Sequence, residues 1–298
     1  MTKHILLPLA LTLAMASLLP ACGADPLEEK EIALARKAAT EGVLTTTQHY
    51  DFTQWLETPD GYSLPTIGKG DTPTATYWAS ASNQGYTFLA QGKSDFPVTP
   101  LLIDGRARGA SIRTVKGAYF FGIGSNVVAG SLYTGAVDKR KLISSSLESS
   151  LFGQPYTSGV PEWLEFRYQY KSGATVIQGQ NRRVELPATD KGSVSIVLYE
   201  ITDDASYLNG LTLQTDPRIV AKGYTELEAT PEGQWRELEL RVAPVDAARY
   251  ARIDFVTRRY RLALVFASSY RGAEFIGALG SELRLQDVRI KDRVKSSN

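Results

Sequence analysis

From Tyr50 onward, apolar and polar residues alternate in short runs separated by Gly, Pro, Asn and Asp, as expected of strands that bury one face. Residues 163–170 show this most clearly: Leu164, Phe166, Tyr168 and Tyr170 fall on one side of such a strand, and Glu165, Arg167 and Gln169 on the other. Residues 234–242 repeat the pattern, with Leu238, Leu240 and Val242 inward and Glu237, Glu239 and Arg241 outward. An outer face this charged belongs to an antiparallel sandwich, because the strands of a parallel sheet are covered on both sides. Residues 194–199 and 261–266 are more continuously apolar and read as central strands. In residues 283–290 the apolar positions switch from odd to even numbers around Gln286 and Asp287, which predicts a β-bulge there. No strong helix pattern follows Gly42 and no fixed-period repeat is present. The expected fold is therefore an all-β antiparallel sandwich, not a propeller or a solenoid.

The N-terminus reads differently. Lys3 and His4 precede an apolar stretch of about 15 residues, which has the proportions of a secretory signal and is shorter than a membrane-spanning helix requires. The stretch ends in Leu19-Pro20-Ala21-Cys22, which resembles the lipobox of bacterial lipoproteins, although Pro20 is a less usual occupant of its place. That resemblance implies acylation of Cys22, and the several acyl chains would hold the protein stably on a bilayer. Asp25-Pro26-Leu27-Glu28 has the form of a helix start, and Gly42 supplies a stop, so a short, solvated helix to about Glu41 is expected. Its acidic residues Asp25, Glu28, Glu29 and Glu31 resemble the surface-export signals of Bacteroidetes lipoproteins. The expected organisation is a signal peptide at 1–21, a lipid-anchored stalk with a short helix at 22–49, the sandwich at 50–292 and a tail at 293–298. The expected location is the outer membrane, with surface exposure and outer-membrane protein partners as open options.

Charge and composition then narrow the chemistry. The 298 residues carry 33 Lys and Arg against 32 Asp and Glu, so there is no basic footprint for nucleic acid. Cys22 is the sole cysteine, and His4 and His49 are the only histidines, which excludes a disulfide framework and zinc sites built from Cys or clustered His.

The last third contains Phe266-Ala267-Ser268-Ser269-Tyr270-Arg271-Gly272, then Phe275-Ile276-Gly277-Ala278-Leu279-Gly280-Ser281-Glu282-Leu283, and Asp287-Val288. Upstream come Asp51-Phe52 with Trp55, Tyr77-Trp78-Ala79-Ser80-Ala81, Gly130-Ser131-Leu132-Tyr133-Thr134-Gly135, Phe152-Gly153-Gln154-Pro155-Tyr156, and Tyr168-Gln169-Tyr170. In kind and order these motifs resemble the putative carbohydrate metabolism domain family of Bacteroidetes lipoproteins, over about residues 50–292. The resemblance implies a jelly-roll-like β-sandwich similar to carbohydrate-binding modules and a role in glycan metabolism, without a catalytic mechanism. Thr53 stands where many relatives carry an acid, so a first-strand cation ligand seen in similar sandwiches is in doubt.

Glycan recognition needs flat aromatic faces for sugar C–H groups and a few fixed polar groups for hydroxyls. The chain has 15 Tyr and 4 Trp. Trp78, followed by Asn83 in a polar stretch, and Tyr156, between Pro155 and Gly159, are each either core or a loop-borne platform. Tyr270 with Arg271 forms another candidate rim, whereas Trp163 and Trp235, at strand starts, read as packing residues. A glycoside hydrolase needs two facing carboxyl groups. Asp203, Asp204, Asp254, Glu274 and Glu282 are available, none marked out as a pair. His49 has no Gly-x-Ser-x-Gly elbow to accompany it, and Gly122-Ile123-Gly124 lacks the third glycine of a dinucleotide fingerprint. No cofactor is required. A structural calcium between Asp51 and Asp287 is the one metal option, set against a strand cap and a solvent-facing bulge. The expectation is a cell-envelope lipoprotein that binds a glycan without catalysis. Its rivals are a glycoside hydrolase and a surface-fibre subunit.

Overall fold

A computed structural model describes residues 42–66, 76–180 and 183–294. Ten longer strands organise it. They are β1 (Val43–Tyr50), β2 (Val98–Ile103), β3 (Arg106–Lys116), β4 (Ser131–Val137), β5 (Val160–Lys171), β6 (Gly192–Ile201), β7 (Ile219–Leu227), β8 (Arg236–Arg241), β9 (Arg259–Ala267) and β10 (Glu282–Val294). Among the described residues they form two antiparallel sheets. In the first, the order is β8-β5-β10-β3-β2, with β1 also paired to β10. In the second, the order through the long strands is β4-β9-β6-β7, extended by short strands at both ends.

The sheets pack face to face through the residues whose alternation predicted it. Leu164, Phe166, Leu283, Leu285, Val288 and Ile290 from the first sheet share one core with Val194, Ile196, Leu198, Leu262, Leu264 and Phe266 from the second. Phe166 meets Phe266 edge to face across the layers, with ring centroids 5.8 Å apart. The expected antiparallel sandwich is the observed one.

The bulge is present too. Along the β5–β10 pair, Glu165 faces Arg289 and Arg167 faces Gln286, so β10 carries one residue more than its partner. Asp287 absorbs it in the left-handed region, with φ 58°, a conformation that Asp tolerates better than most residues. At this point β10 also exchanges its other neighbour: Leu285 pairs with Ala110 of β3, and from Val288 onward the partner is β1. Gly109 completes the joint, because a Cβ there would lie 2.3 Å from the Leu285 carbonyl oxygen. Gly109→Ala is expected to destabilise the fold by about 1–3 kcal/mol through this backbone collision, read as a lowered urea midpoint with an unchanged slope.

Two boundaries differ from the sequence expectation. Residues 43–49, read as stalk, are strand β1, and β10 continues to Val294, past the expected end at 292. The sequence of β1 is largely polar and four of its first residues are exposed, so alternation gave no signal; the strand is held by pairing with β10. The signal peptide, Cys22, the expected helix up to Glu41 and the end of the tail lie outside the described residues.

Val43 faces Val294, whereas Glu282 faces Arg113 at the opposite end of β10. The 13 residues of β10 span about 40 Å at the usual rise of a strand. The N-terminal segment therefore joins the sandwich at one end, and Glu282 marks the other.

The outer faces of the two sheets are unequal. On the second, Val197, Tyr199 and Ala263 are roofed by Leu208 and Leu213 into a second apolar cluster, and Arg261 stacks 4.0 Å from the Tyr207 ring centroid. The outer face of the first sheet is polar and open, and its edges are poor templates for another chain. Pro100 interrupts β2, and β8 alternates charged with apolar residues.

Candidate functional site

The open face is ordered by strand register into rows that cross the first sheet. Gln169 of β5 pairs with Arg284 of β10, Arg284 with Ser111 of β3, and Ser111 with Thr99 of β2. Residues paired across antiparallel strands share a face, so these four form one polar line. Trp235, half-buried, precedes β8 at the near end of that line. The Arg167 guanidinium lies 5.7 Å from its ring centroid, close enough for a cation–π contact that fixes both groups. The next row consists of Lys171, Glu282 and Arg113.

These rows run into a cleft of about 470 Å³, lined among others by Lys93, Pro100, Leu102, Ser111, Arg113 and Glu282. Glu282 is the fixed acid of the cleft. It accepts from the Ser111 hydroxyl at 2.7 Å and is paired with Arg284 at 2.9 Å. Burial pushes its carboxyl up, but the bonds from Arg284 and Ser111, with the charges of Arg284 and Arg113, outweigh this and hold it below the usual glutamate range. Arg113 is tethered from the far side, donating from Nη2 to the carbonyls of Ser94 and Phe96, the latter at 2.8 Å. The Nε groups of Arg113, Arg167 and Arg284 are sealed from solvent without a hydrogen-bond partner. An aromatic ring, aliphatic walls and pre-positioned donors and acceptors on a rigid sheet are what sugar recognition requires.

The structure distributes the sequence candidates unevenly. Trp78 is 2% exposed and packs edge-on against Tyr50 and Phe52 at 5.1 and 5.2 Å, so its faces belong to the core. Asn83 is fully buried and bonds Val98 through both its amide and its carbonyl, each at 2.8 Å, which makes it a staple between a short helix and β2. Tyr156 is also buried, and its hydroxyl donates to Asp292. None of these three is a loop-borne platform: Trp78 and Tyr156 sit on short strands paired into the second sheet, with their side chains in the core, and Asn83 sits on the short helix Ala81–Tyr86. Tyr270 and Arg271 stay partly accessible, but off this row: the Tyr270 amide bonds Lys191 and the Arg271 guanidinium bonds Glu274 at 2.6 Å.

Asp51 accepts from the amide and hydroxyl of Thr53 at 3.0 and 2.9 Å. Asp287 is taken by His49 at 2.6 Å and Arg289 at 2.8 Å. Asp287 is thus already paired with the charge of Arg289, and Asp51 is held within its own turn. Among the described residues no group of three His, Cys, Asp or Glu gathers for a metal. Of the candidate acids, Asp204 pairs with Arg259 and Glu274 with Arg271, and Glu282 alone lines the cleft.

Trp163 and Trp235, expected as packing residues, are half-buried on the open face. The missed signal was parity. Trp163 shares odd numbering with the outward Glu165 and Arg167, and Trp235 with Glu237 and Glu239.

The sequence profile described as Putative carbohydrate metabolism domain matches residues 45–291, from within β1 to within β10, and so takes in the whole polar row and the cleft. The chain belongs to this family. Two solved structures are similar to the chain. A putative glycoside hydrolase from Bacteroides thetaiotaomicron shares 24% identity over 85% of this chain and 72% of that one, with a TM-score of 0.71. One from Bacteroides vulgatus shares 22% over 84% and 99%, with a TM-score of 0.65. At these identities the likeness shows the fold. No curated protein matches the chain.

Proposed function

We propose that this domain captures a glycan at the cell envelope, without cleaving it, and that the protein is held at the outer membrane by lipid on Cys22. The observation that carries the binding reading is the row Trp235–Gln169–Arg284–Ser111–Thr99 leading into the cleft. A stacking ring, a hydroxyl, an amide and a guanidinium stand at fixed spacing on one rigid face. Membership of a carbohydrate family supports it. So does polarity along the molecule, since the cleft lies at the Glu282 end and the N-terminal segment joins at the Val43 end.

The experiment is a glycan array probed with the protein, with released reducing sugar assayed on each hit. Trp235→Ala is expected to weaken the best hit by roughly thirtyfold, the loss of about 2 kcal/mol usual for a stacked aromatic anchor, while the unfolding midpoint moves little because the ring is half-exposed. An unaltered Kd in that variant would remove the row from the binding site.

Hydrolysis has one observation in its favour. Glu165 and Glu239 stand directly opposite each other on this face, and opposed residues have Cβ atoms about 4.5–5.5 Å apart, within reach of the carboxyl spacings of glycosidases. Sugar release that is abolished by Glu239→Gln with binding retained would replace capture by catalysis.

A further inference from the structure

We infer that the glycan taken by this face is acidic, carrying uronate carboxylates that are read by Arg284, Arg113 and Lys171 beside the cleft. The inference deepens the capture reading and rests on it. Its ground is a local imbalance of charge in a chain that is almost neutral. The chain as a whole has 33 basic and 32 acidic residues, yet in the row at the mouth of the cleft Glu282 stands between Lys171 and Arg113, with Arg284 beside it. One carboxylate is thus shared among three cations. Glu282 is fully engaged by Ser111 and Arg284, and Lys171 is exposed and forms no ion pair among the described residues. In the adjoining row Arg167 is matched by Glu237 at 3.6 Å.

A second observation points the same way. The Arg284 side chain is 43% exposed even while paired with Glu282, so its guanidinium can meet a carboxylate in the planar geometry that suits both. Lys93, on the opposite wall, is already neutralised by Glu57 at 2.6 Å. The cations left for a ligand are therefore those on the sheet. A neutral sugar would leave them uncompensated.

The test is a titration of the protein with oligogalacturonate and with hyaluronan fragments, set against methyl-esterified oligogalacturonate and a neutral cello-oligosaccharide. At least one of the two acidic ligands is expected to bind, with an affinity that falls as salt is raised. Esterification or loss of the carboxylates should weaken binding roughly tenfold or more. Lys171→Ala, a change at an exposed position, should weaken the acidic ligand about threefold without effect on any residual binding of neutral ligand, and Arg284→Gln should weaken the acidic ligand roughly tenfold. Equal binding of the free acid and its ester, or binding of the neutral ligand alone, would overturn the assignment to acidic glycans and leave capture standing. A protein that binds neither these ligands nor any glycan on the array would overturn both.

Discussion

Asp190→Ala is expected to lower stability by about 4 kcal/mol, and the melting temperature by roughly 10 °C, more than any change on the open face. Asp190 is 2% exposed, and its Oδ2 accepts from the Ser269 hydroxyl at 2.6 Å, the Ser281 hydroxyl at 2.7 Å and the Ala278 amide at 2.8 Å. Ser269 is in turn 2.6 Å from the Thr114 hydroxyl of β3, which also meets Ser268 at 2.7 Å. One carboxylate thus ties the end of β9 in the second sheet, β3 and the entrance to β10 in the first, and the short strand Ile276–Ala278. Alanine leaves three buried donors without an acceptor, each costing about 1–3 kcal/mol, and a small cavity as well. Ser269→Ala removes a single link and should cost about 1 kcal/mol. Differential scanning calorimetry of the two variants checks the ranking, and an Asp190→Ala protein melting within about 2 °C of the parent would refute the network's structural weight.

The second large effect depends on pH. Asp292 is fully buried on the core side of β10, where its Oδ2 accepts from the hydroxyls of Thr47 and Tyr156 and its Oδ1 has no partner. The neighbouring Arg293 is committed to Glu162. Burial raises the Asp292 carboxyl above the usual aspartate range, and the two hydroxyls only partly oppose this. Burial and the Asp292 charge likewise push the Tyr156 hydroxyl far up, so it stays a donor. Because the folded-state pKa is raised, the stability this group supplies is complete below the unfolded value of about 3.9 and is lost as pH rises through the folded one. The protein is therefore expected to lose stability as pH rises above about 4, the unfolded value, in a step that Asp292→Asn abolishes. The asparagine variant should be the more stable form at neutral pH, since it carries no buried charge. Asp292→Ala leaves the buried Tyr156 hydroxyl and the half-buried Thr47 hydroxyl unpaired and should cost about 3 kcal/mol. Urea denaturation of the three proteins across about pH 3 to 8 separates these outcomes, and a step that survives in Asp292→Asn would assign it elsewhere.

Both carboxylates illustrate how much of the fold and the site could be read beforehand. Ser268 and Ser269 stood out as part of a motif, but nothing local says that they meet Asp190, which is 79 residues from Ser269. Asp292 falls on the inward parity of β10 only after the bulge at Asp287 is counted. Among the glycan candidates, Trp78 and Tyr156 have loop-like surroundings in the sequence, and burial places both in the core. Trp163 and Trp235 lie on the open face, on a parity that the sequence carries.

The sequence by itself determined the strand class, the inward and outward sets of β5 and β8, the central strands β6 and β9 and the bulge in β10, because side-chain direction in a strand repeats every two residues and is a local property; its spaced motifs carried the resemblance to the family. Only the tertiary structure decided that polar β1 is a strand, which sheet has its outer face roofed by Leu208 and Leu213, and which residues share the row from Trp235 to Thr99. Those outcomes depend on strand register and on which distant segments pack over which face. The continuous apolar runs of β6 and β9 mark strands covered on both faces, but no local pattern names the distant segment that covers them.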